Sequence, residues 1–389
     1  MRPRFAAIVY AMVLSCGWIT GCVASPPVML AARGSATAVR PAACAAPAAA
    51  DVFPVPVVVL DGSPQQIGTS HGTQLAKSIQ TLHTDYLLKF VGTGAHRFMA
   101  MLAASAFESK MRPEHHAEIV ALAAASKVDQ QQTMLAQCFL DLAQLSGCST
   151  IALPAGASPD HVARFGRNLD FWSLDIADKY TTVFIVRPND GRYAFASVGW
   201  PGMAGVLSGM NEHGLCLANM EVPRDPGMPR AMPYTLLYRT VLERCKTVDE
   251  AVALLKSTPI QTANNLMLMD ATGDRAAVEL SPAFVHVRRA ADDAAVISTN
   301  HQRDQDADRP GLCDRYDDLH DTSRAEFGRI DESAMQGLLA RVGNKTTLQS
   351  MVFEPSNRVI HLAVGTNAAK TAFHRLDLGA YFRRTAGSN

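Results

Sequence analysis

Ser146-Gly147-Cys148-Ser149-Thr150 is the stretch on which the reading of this chain turns. A glycine precedes a cysteine, and the cysteine opens a β-favouring run, Cys148 to Leu153. Upstream, residues 114–145 read mostly as helix. Downstream, the chain changes to strands and tight turns. Further on, Gly166-Arg167-Asn168-Leu169-Asp170 sets a charged pair inside an otherwise strand-like run. A cysteine at such a junction, followed by paired charges, fits a nucleophile with its helpers. Cysteine is also among the most buried residue types and often packs as a small hydrophobe. The pentapeptide alone decides between neither reading.

The length, 389 residues at 48% hydrophobic, is enough to bury a proper core in one large or two smaller domains. The formal net charge is +0, which gives no reason to expect nucleic acid as a partner. No repeat at solenoid spacing occurs.

Residues 1–22 read as a targeting segment. Arg2 and Arg4 form a positive region, and Phe5 to Trp18 an apolar one. Ile19-Thr20-Gly21-Cys22 resembles a bacterial lipobox, in which Cys22 would be lipidated; ordinary cleavage near Ala24 is the alternative. More than one acyl chain makes such an anchor stable. Val23 leaves out the usual inner-membrane retention Asp, so the expectation is a lipid anchor in the cell envelope, at the outer membrane of a Gram-negative host. Residues 23–51, rich in Ala and Pro, read as a tether. Cysteines stand at 16, 22, 44, 138, 148, 216, 245 and 313, without CxxC or metal spacing.

The folded part starts near Val52. Val55 to Leu60 reads as a strand, and Asp61-Gly62-Ser63-Pro64 as a turn into one helix through Gly68, His71, Gly72 and Leu75 to Phe90. His71 reads as a structural residue at a close helix contact. His115-His116 lacks metal-ligand geometry and reads as part of a solvated helix face. After Cys148, strands are expected over Val162–Asp170, Thr181–Arg187 and Arg192–Val198. The last two are joined by Asp190-Gly191, whose glycine supplies the positive φ of a hairpin turn. Gly205–Met210 and Leu215–Met220 form a second hairpin, and four strands fall between Asn265 and Thr299. A charged stretch covers Asp304 to Arg309. A last hairpin joins Leu348–Phe353 to Arg358–Val364. Helices bracketing two antiparallel meanders predict an α+β fold of four layers, αββα.

Taken in order, Gly62-Ser63-Pro64, Gly68-Thr69-Ser70-His71-Gly72, Gly147-Cys148-Ser149-Thr150, Gly166-Arg167-Asn168-Leu169-Asp170, Gly209-Met210-Asn211-Glu212-His213-Gly214, Ser298-Thr299-Asn300-His301, Asp314-Arg315-Tyr316 and Leu348-Gln349-Ser350-Met351 form a series. The series resembles the penicillin acyltransferase-like branch of the N-terminal-nucleophile hydrolases. Choloylglycine (bile-salt) and penicillin V hydrolases and acid ceramidase are more distantly similar. The resemblance implies an αββα sandwich and self-cleavage between Gly147 and Cys148. Residues 52–147 would become one chain and 148–389 a catalytic second chain. Cys148 would then hold a free α-amino group beside its thiol. Such an amine titrates near about 7.7–8.0, so it serves as general base for its own thiol. The thiol would attack a linear amide of a small N-acyl compound and form an acyl-enzyme.

The resemblance also implies helpers. Arg167 and Asp170 match an Arg-x-x-Asp pair, Asn300 an oxyanion donor, and Arg315 a later arginine near the nucleophile. Strand alternation puts Arg167 and Asp170 on opposite faces, so a bulge or strand end is expected between them. Glu221 stands where the bile-salt branch offers an Asn, and an ionised carboxylate cannot donate. Asn219 and Asn211 are fallbacks.

Rival readings remain open. The acyl group could pass to an amine acceptor, making the enzyme an acyltransferase. Cys148, His301 and Asn300 could form a papain-like set, although adjacent strand residues point to opposite faces. The chain could also be a non-catalytic envelope-binding lipoprotein. No metal motif, P-loop or dinucleotide pattern occurs, so no cofactor is implied. The partners expected are a small N-acyl amide and a membrane reached through the lipid anchor.

Overall fold

Two sheets carry the fold. A computed structural model describes residues 53–143, 146–223, 228–291, 293–303 and 311–383. The targeting segment, Cys22, the tether and the charged stretch from Asp304 lie outside the described residues. The strands are β1 (Val57–Gly62), β2 (Ser146–Leu153), β3 (Arg164–Phe171), β4 (Thr182–Pro188), β5 (Phe195–Gly199), β6 (Ser208–Asn211) and β7 (Cys216–Glu221). After them come β8 (Asn264–Met269), β9 (Arg275–Ser281), β10 (Phe284–Arg288), β11 (Val296–Ser298), β12 (Thr347–Glu354), β13 (Val359–Val364) and β14 (His374–Asp377).

One sheet runs β1-β4-β5-β6-β7-β8-β9-β10, a meander from β4 onward with β1 added in parallel at its edge. The other runs β11-β2-β3-β12-β13-β14, all antiparallel. The helices Tyr234–Arg244 and Val248–Ser257 pack on the first sheet, and Asp314–Ala325 and Glu332–Val342 on the second. This is the four-layer αββα arrangement. Period-two alternation along β2 builds it locally. Cys148 and Ala152 join the core cluster shared by both sheets. Ile151 and Leu153 join Met335, Leu338 and Leu339 under the outer helices. Each buried Ile, Leu or Met side chain among them contributes about 1.5–3 kcal/mol.

The expected turns appear where their chemistry allows them. Gly191 has φ +87° and Gly214 has φ +85°, the left-handed region each turn needs. Asn211 is a turn residue. Its Oδ1 accepts from the N–H groups of His213 and Leu215, and its Nδ2 donates to the carbonyls of Leu242 and Cys245.

The helical segment ahead of β2 departs from expectation twice. The helix from Pro64 does not continue to Phe90. A capping box between Ser63 and Gln66 starts it, and it ends at Gln74. A short helix, Ala76–Thr81, then passes into a π-helical turn, Leu82–Leu87. His115 also differs. It is buried, and its Nε2 lies 2.8 Å from Glu243 Oε2. Arg239 bridges Glu118 and Glu243 in the same buried cluster, and Arg192 reaches Glu243 at 2.6 Å. Burial opposes ionisation of Glu243, yet His115 and Arg239 beside it hold its carboxyl well below the usual range. Removing one partner of such a set leaves an uncompensated buried charge.

Gly68 and Gly72 set how closely the helix Pro64–Gln74 approaches Pro113–Ser126. A Cβ at Gly68 would stand 2.0 Å from the Glu118 carbonyl oxygen, and one at Gly72 2.6 Å from that of Leu122. Both obstacles are backbone, so neither can swing away. Gly68→Ala is expected to cost about 1–3 kcal/mol by overpacking. Urea unfolding checks this, and a midpoint equal to wild type would refute it.

Candidate active site

The register of β2 assembles the site. β2 pairs with β3 without slippage, so Gly147 faces Asp170, Cys148 faces Leu169 and Thr150 faces Arg167. On its other side β2 pairs with β11, Thr150 opposite Ser298. Continuing that register two residues past the end of β11 sets Asn300 against Cys148. The hydrogen bonds agree. The Cys148 N–H donates to Asn300 Oδ1 at 2.8 Å. Cys148 itself is fully buried.

Arg315, in the first turn of the helix Asp314–Ala325, closes the group. Its Nη1 donates to the Cys148 carbonyl at 2.8 Å and lies 3.3 Å from Asp170 Oδ2; its Nη2 donates to Asn300 Oδ1 at 2.9 Å. Asp170 is held from a third side. Thr347 Oγ1 donates to Oδ1 at 2.5 Å, and Asn344 Nδ2 to Oδ2 at 3.0 Å. A Cβ on Gly147 would stand only 3.2 Å from Asp170 Oδ2, so the bare glycine lets the carboxylate lie close to the Gly147–Cys148 link. Burial pushes the Asp170 carboxyl up, and the Thr347 bond, Arg315, Arg167 and Asn344 only partly offset it.

Cys148, Asp170, Asn300 and Arg315 therefore come together. Arg167 does not join their hydrogen-bond cluster. No bulge or strand end separates it from Asp170, contrary to expectation: β3 is in register with β2 from Arg164 to Phe171. The only shift near the pair lies in the neighbouring β12, between Thr347 and Gln349. Alternation then sends Arg167 away from Asp170, to the sheet face that the Cys148 side chain shares, where Nε donates to Ser208 Oγ at 3.1 Å and Nη1 to the Asn219 carbonyl at 2.7 Å. Arg167 thus ties the two sheets together and acts on Asp170 only through its charge.

Asn300 also differs from the expected oxyanion donor. It turns its carbonyl oxygen to Cys148 and Arg315, and its Nδ2 donates to the Glu221 carbonyl at 2.7 Å. The Glu221 carboxylate accepts from the Tyr234 hydroxyl at 3.3 Å. His71 is structural, as its neighbourhood suggested: Nε2 accepts from the Gly202 N–H at 3.0 Å, and burial first, then Arg239, lowers its pKa to about 3. His301 sits beside Arg303 and Arg315; burial and these cations lower its pKa. Asn344 and Thr347 carry no mark in the sequence beyond a polar turn before β12. Three other buried thiols are poorly placed for reaction. Burial pushes Cys138 and Cys216 well up and Cys245 up to about 12.

Residues 158–338 match the family model described as Acyl-coenzyme A:6-aminopenicillanic acid acyl-transferase. The match takes in Asp170, Asn300 and Arg315 and begins after Cys148. Among solved structures the chain is similar to a Caenorhabditis elegans N-acylethanolamine-hydrolyzing acid amidase (NAAA) ortholog, at 19% identity over 54% of this chain and 93% of that one, TM-score 0.45. It is similar to a mutant conjugated bile acid hydrolase from Clostridium perfringens, at 16% identity over 60% and 93%, TM-score 0.42. Penicillin V acylase from Agrobacterium tumefaciens is similar at 16% identity over 60% and 92%, TM-score 0.38. No curated protein matches the chain.

Proposed function

We propose, from the match of residues 158–338 to the acyl-coenzyme A:6-aminopenicillanic acid acyl-transferase family model, that this chain is a self-processing cysteine amidohydrolase of small N-acyl compounds. The observation that carries the reading is the convergence on one residue. Asn300 and Arg315 hold the N–H and C=O of Cys148, and Asp170 lies across from Gly147.

Processing begins when the Cys148 thiol attacks the Gly147 carbonyl. A C–S bond forms, the peptide C–N bond breaks, and the nitrogen takes up the thiol's proton. Water then cleaves the thioester, giving a Gly147 carboxylate and restoring the thiol. The freed amine inherits the acceptor that the peptide N–H had, Asn300 Oδ1, with the Asp170 carboxylate nearby. In turnover the amine takes the thiol proton, and the thiolate attacks the substrate's amide carbonyl. The amine hands that proton to the departing nitrogen as the acyl-enzyme forms. Water completes hydrolysis; an amine acceptor in its place would make the product an amide.

Mass spectrometry of protein mixed with a chromogenic N-acyl anilide, with and without hydroxylamine, tests the reading. The expected result is an acyl adduct on the peptide that begins at Cys148, shortened in lifetime by hydroxylamine. Anilide cleavage with no adduct on Cys148, or an adduct on another residue, would refute it.

A further inference from the structure

A small cavity lies between the helical segment and the turn after β5. Its walls are Leu82, His83, Tyr86 and Leu87 from the π-helical turn, Phe139 and Leu140 from the helix Gln130–Leu142, and Phe171 with Trp200–Met203 opposite. Its volume is about 50 Å³. That exceeds the roughly 10–15 Å³ a cavity needs to hold one water-sized group.

The lining is apolar, and its polar side chains are matched among the described residues with one exception. The Tyr86 hydroxyl donates to the Trp172 carbonyl and Trp200 Nε1 to that of Ala177. The Gly202 N–H donates to His71, and its carbonyl accepts from Gln137. His83 is the exception. It is 3% exposed, and neither ring nitrogen has a hydrogen-bond partner among the described residues. Burial lowers its pKa to about 4, so the ring is neutral, with one donor and one acceptor. Burying such a ring without partners is unfavourable, because neither the donor nor the acceptor recovers the hydrogen bond it had to water. The backbone here is unusual as well. π-Helical turns are rare and gather at functional sites, and this one places His83, Tyr86 and Leu87 in the wall.

We propose that this cavity is a binding site for a short apolar chain bearing one hydroxyl or carbonyl oxygen, and that His83 selects that oxygen. Phe171 of its wall directly follows Asp170 in β3. If the proposed amidohydrolase reading holds, the occupant is the oxygenated end of the substrate's acyl group. Binding itself does not depend on turnover.

The test therefore uses the Cys148→Ala chain and two free probes of similar shape, butan-2-ol and 2-chlorobutane. Ring-nitrogen NMR of labelled histidine reads occupancy at His83. The expected result is a saturable shift of the His83 ring signals by butan-2-ol, at least about fivefold tighter binding than 2-chlorobutane, a ratio that corresponds to the net worth of one hydrogen bond. His83→Phe should abolish that preference, and His83→Asn, which keeps a donor and an acceptor, should retain part of it. Thermal melts confirm that both variants fold. Equal binding of the two probes, binding of neither, or a preference that survives His83→Phe in a folded chain would overturn the proposal. Loss of amide turnover elsewhere would leave it standing.

Discussion

Cys148→Ala is expected to lower amide turnover by at least about 10³-fold, because in the proposed mechanism it removes the nucleophile and, by blocking processing, the base that serves it. The two losses come from one residue and so cannot be separated by restoring a base elsewhere. The substitution deletes only a buried sulfur, so the fold should survive. The core cluster around Cys148 also holds Leu140, Phe165 and Leu169, which remain in place. Steady-state kinetics beside far-UV circular dichroism check both halves. Turnover within tenfold of wild type in a folded variant would remove Cys148 from the mechanism.

Asp170→Asn is expected to lower turnover by about 10²- to 10⁴-fold, the range seen when a catalytic proton transfer or its orienting carboxylate is lost. Its effect on stability should run the opposite way. Burial raises the Asp170 pKa in the fold above its unfolded value. The folded chain then binds that proton more tightly than the unfolded chain. Its contribution to stability is present below the unfolded pKa and is lost as pH rises through the raised folded pKa. At neutral pH the ionised carboxylate is a net cost to the fold. Asparagine keeps the partners: its oxygen can accept from Arg315 and Asn344, and its amide can donate to the Thr347 hydroxyl. The variant should be no less stable than wild type at pH 7, and its advantage should shrink as pH falls. Urea midpoints at several pH values measure this. A variant less stable at pH 7 than at acid pH, relative to wild type, would contradict the sign.

The parts of this structure legible in the sequence are those set by neighbours along the chain. Asp190-Gly191 and Asn211 to Gly214 announce their turns through local φ requirements, and the alternation of β2 follows from its own side chains. The order of motifs carried Cys148, Asp170, Asn300 and Arg315 to one place. What stayed hidden depends on distant partners. His115 looked solvated because Glu243, 128 residues away, is what buries and pairs it. Asn344 and Thr347 reach Asp170 across 174 and 177 residues, and nothing local marks them. The parallel docking of β1 on β4 is likewise a non-local choice. His374–Asp377, which forms β14, has one aliphatic residue and no β-branched one, so its pairing with β13 decides its conformation. Arg167 and Asp170 show the converse: strand alternation predicted opposite faces correctly, and the bulge expected to reunite them is absent from β3.

In the proposed mechanism Cys148 becomes an N-terminal residue by the chain's own action. Intact mass and N-terminal sequencing of the purified protein, beside Cys148→Ala, test it most directly. Two fragments are expected from wild type, one beginning Cys148-Ser149-Thr150, and a single uncut chain from the variant. An active wild-type protein that remains one chain, or a variant cut at the same bond, would contradict it.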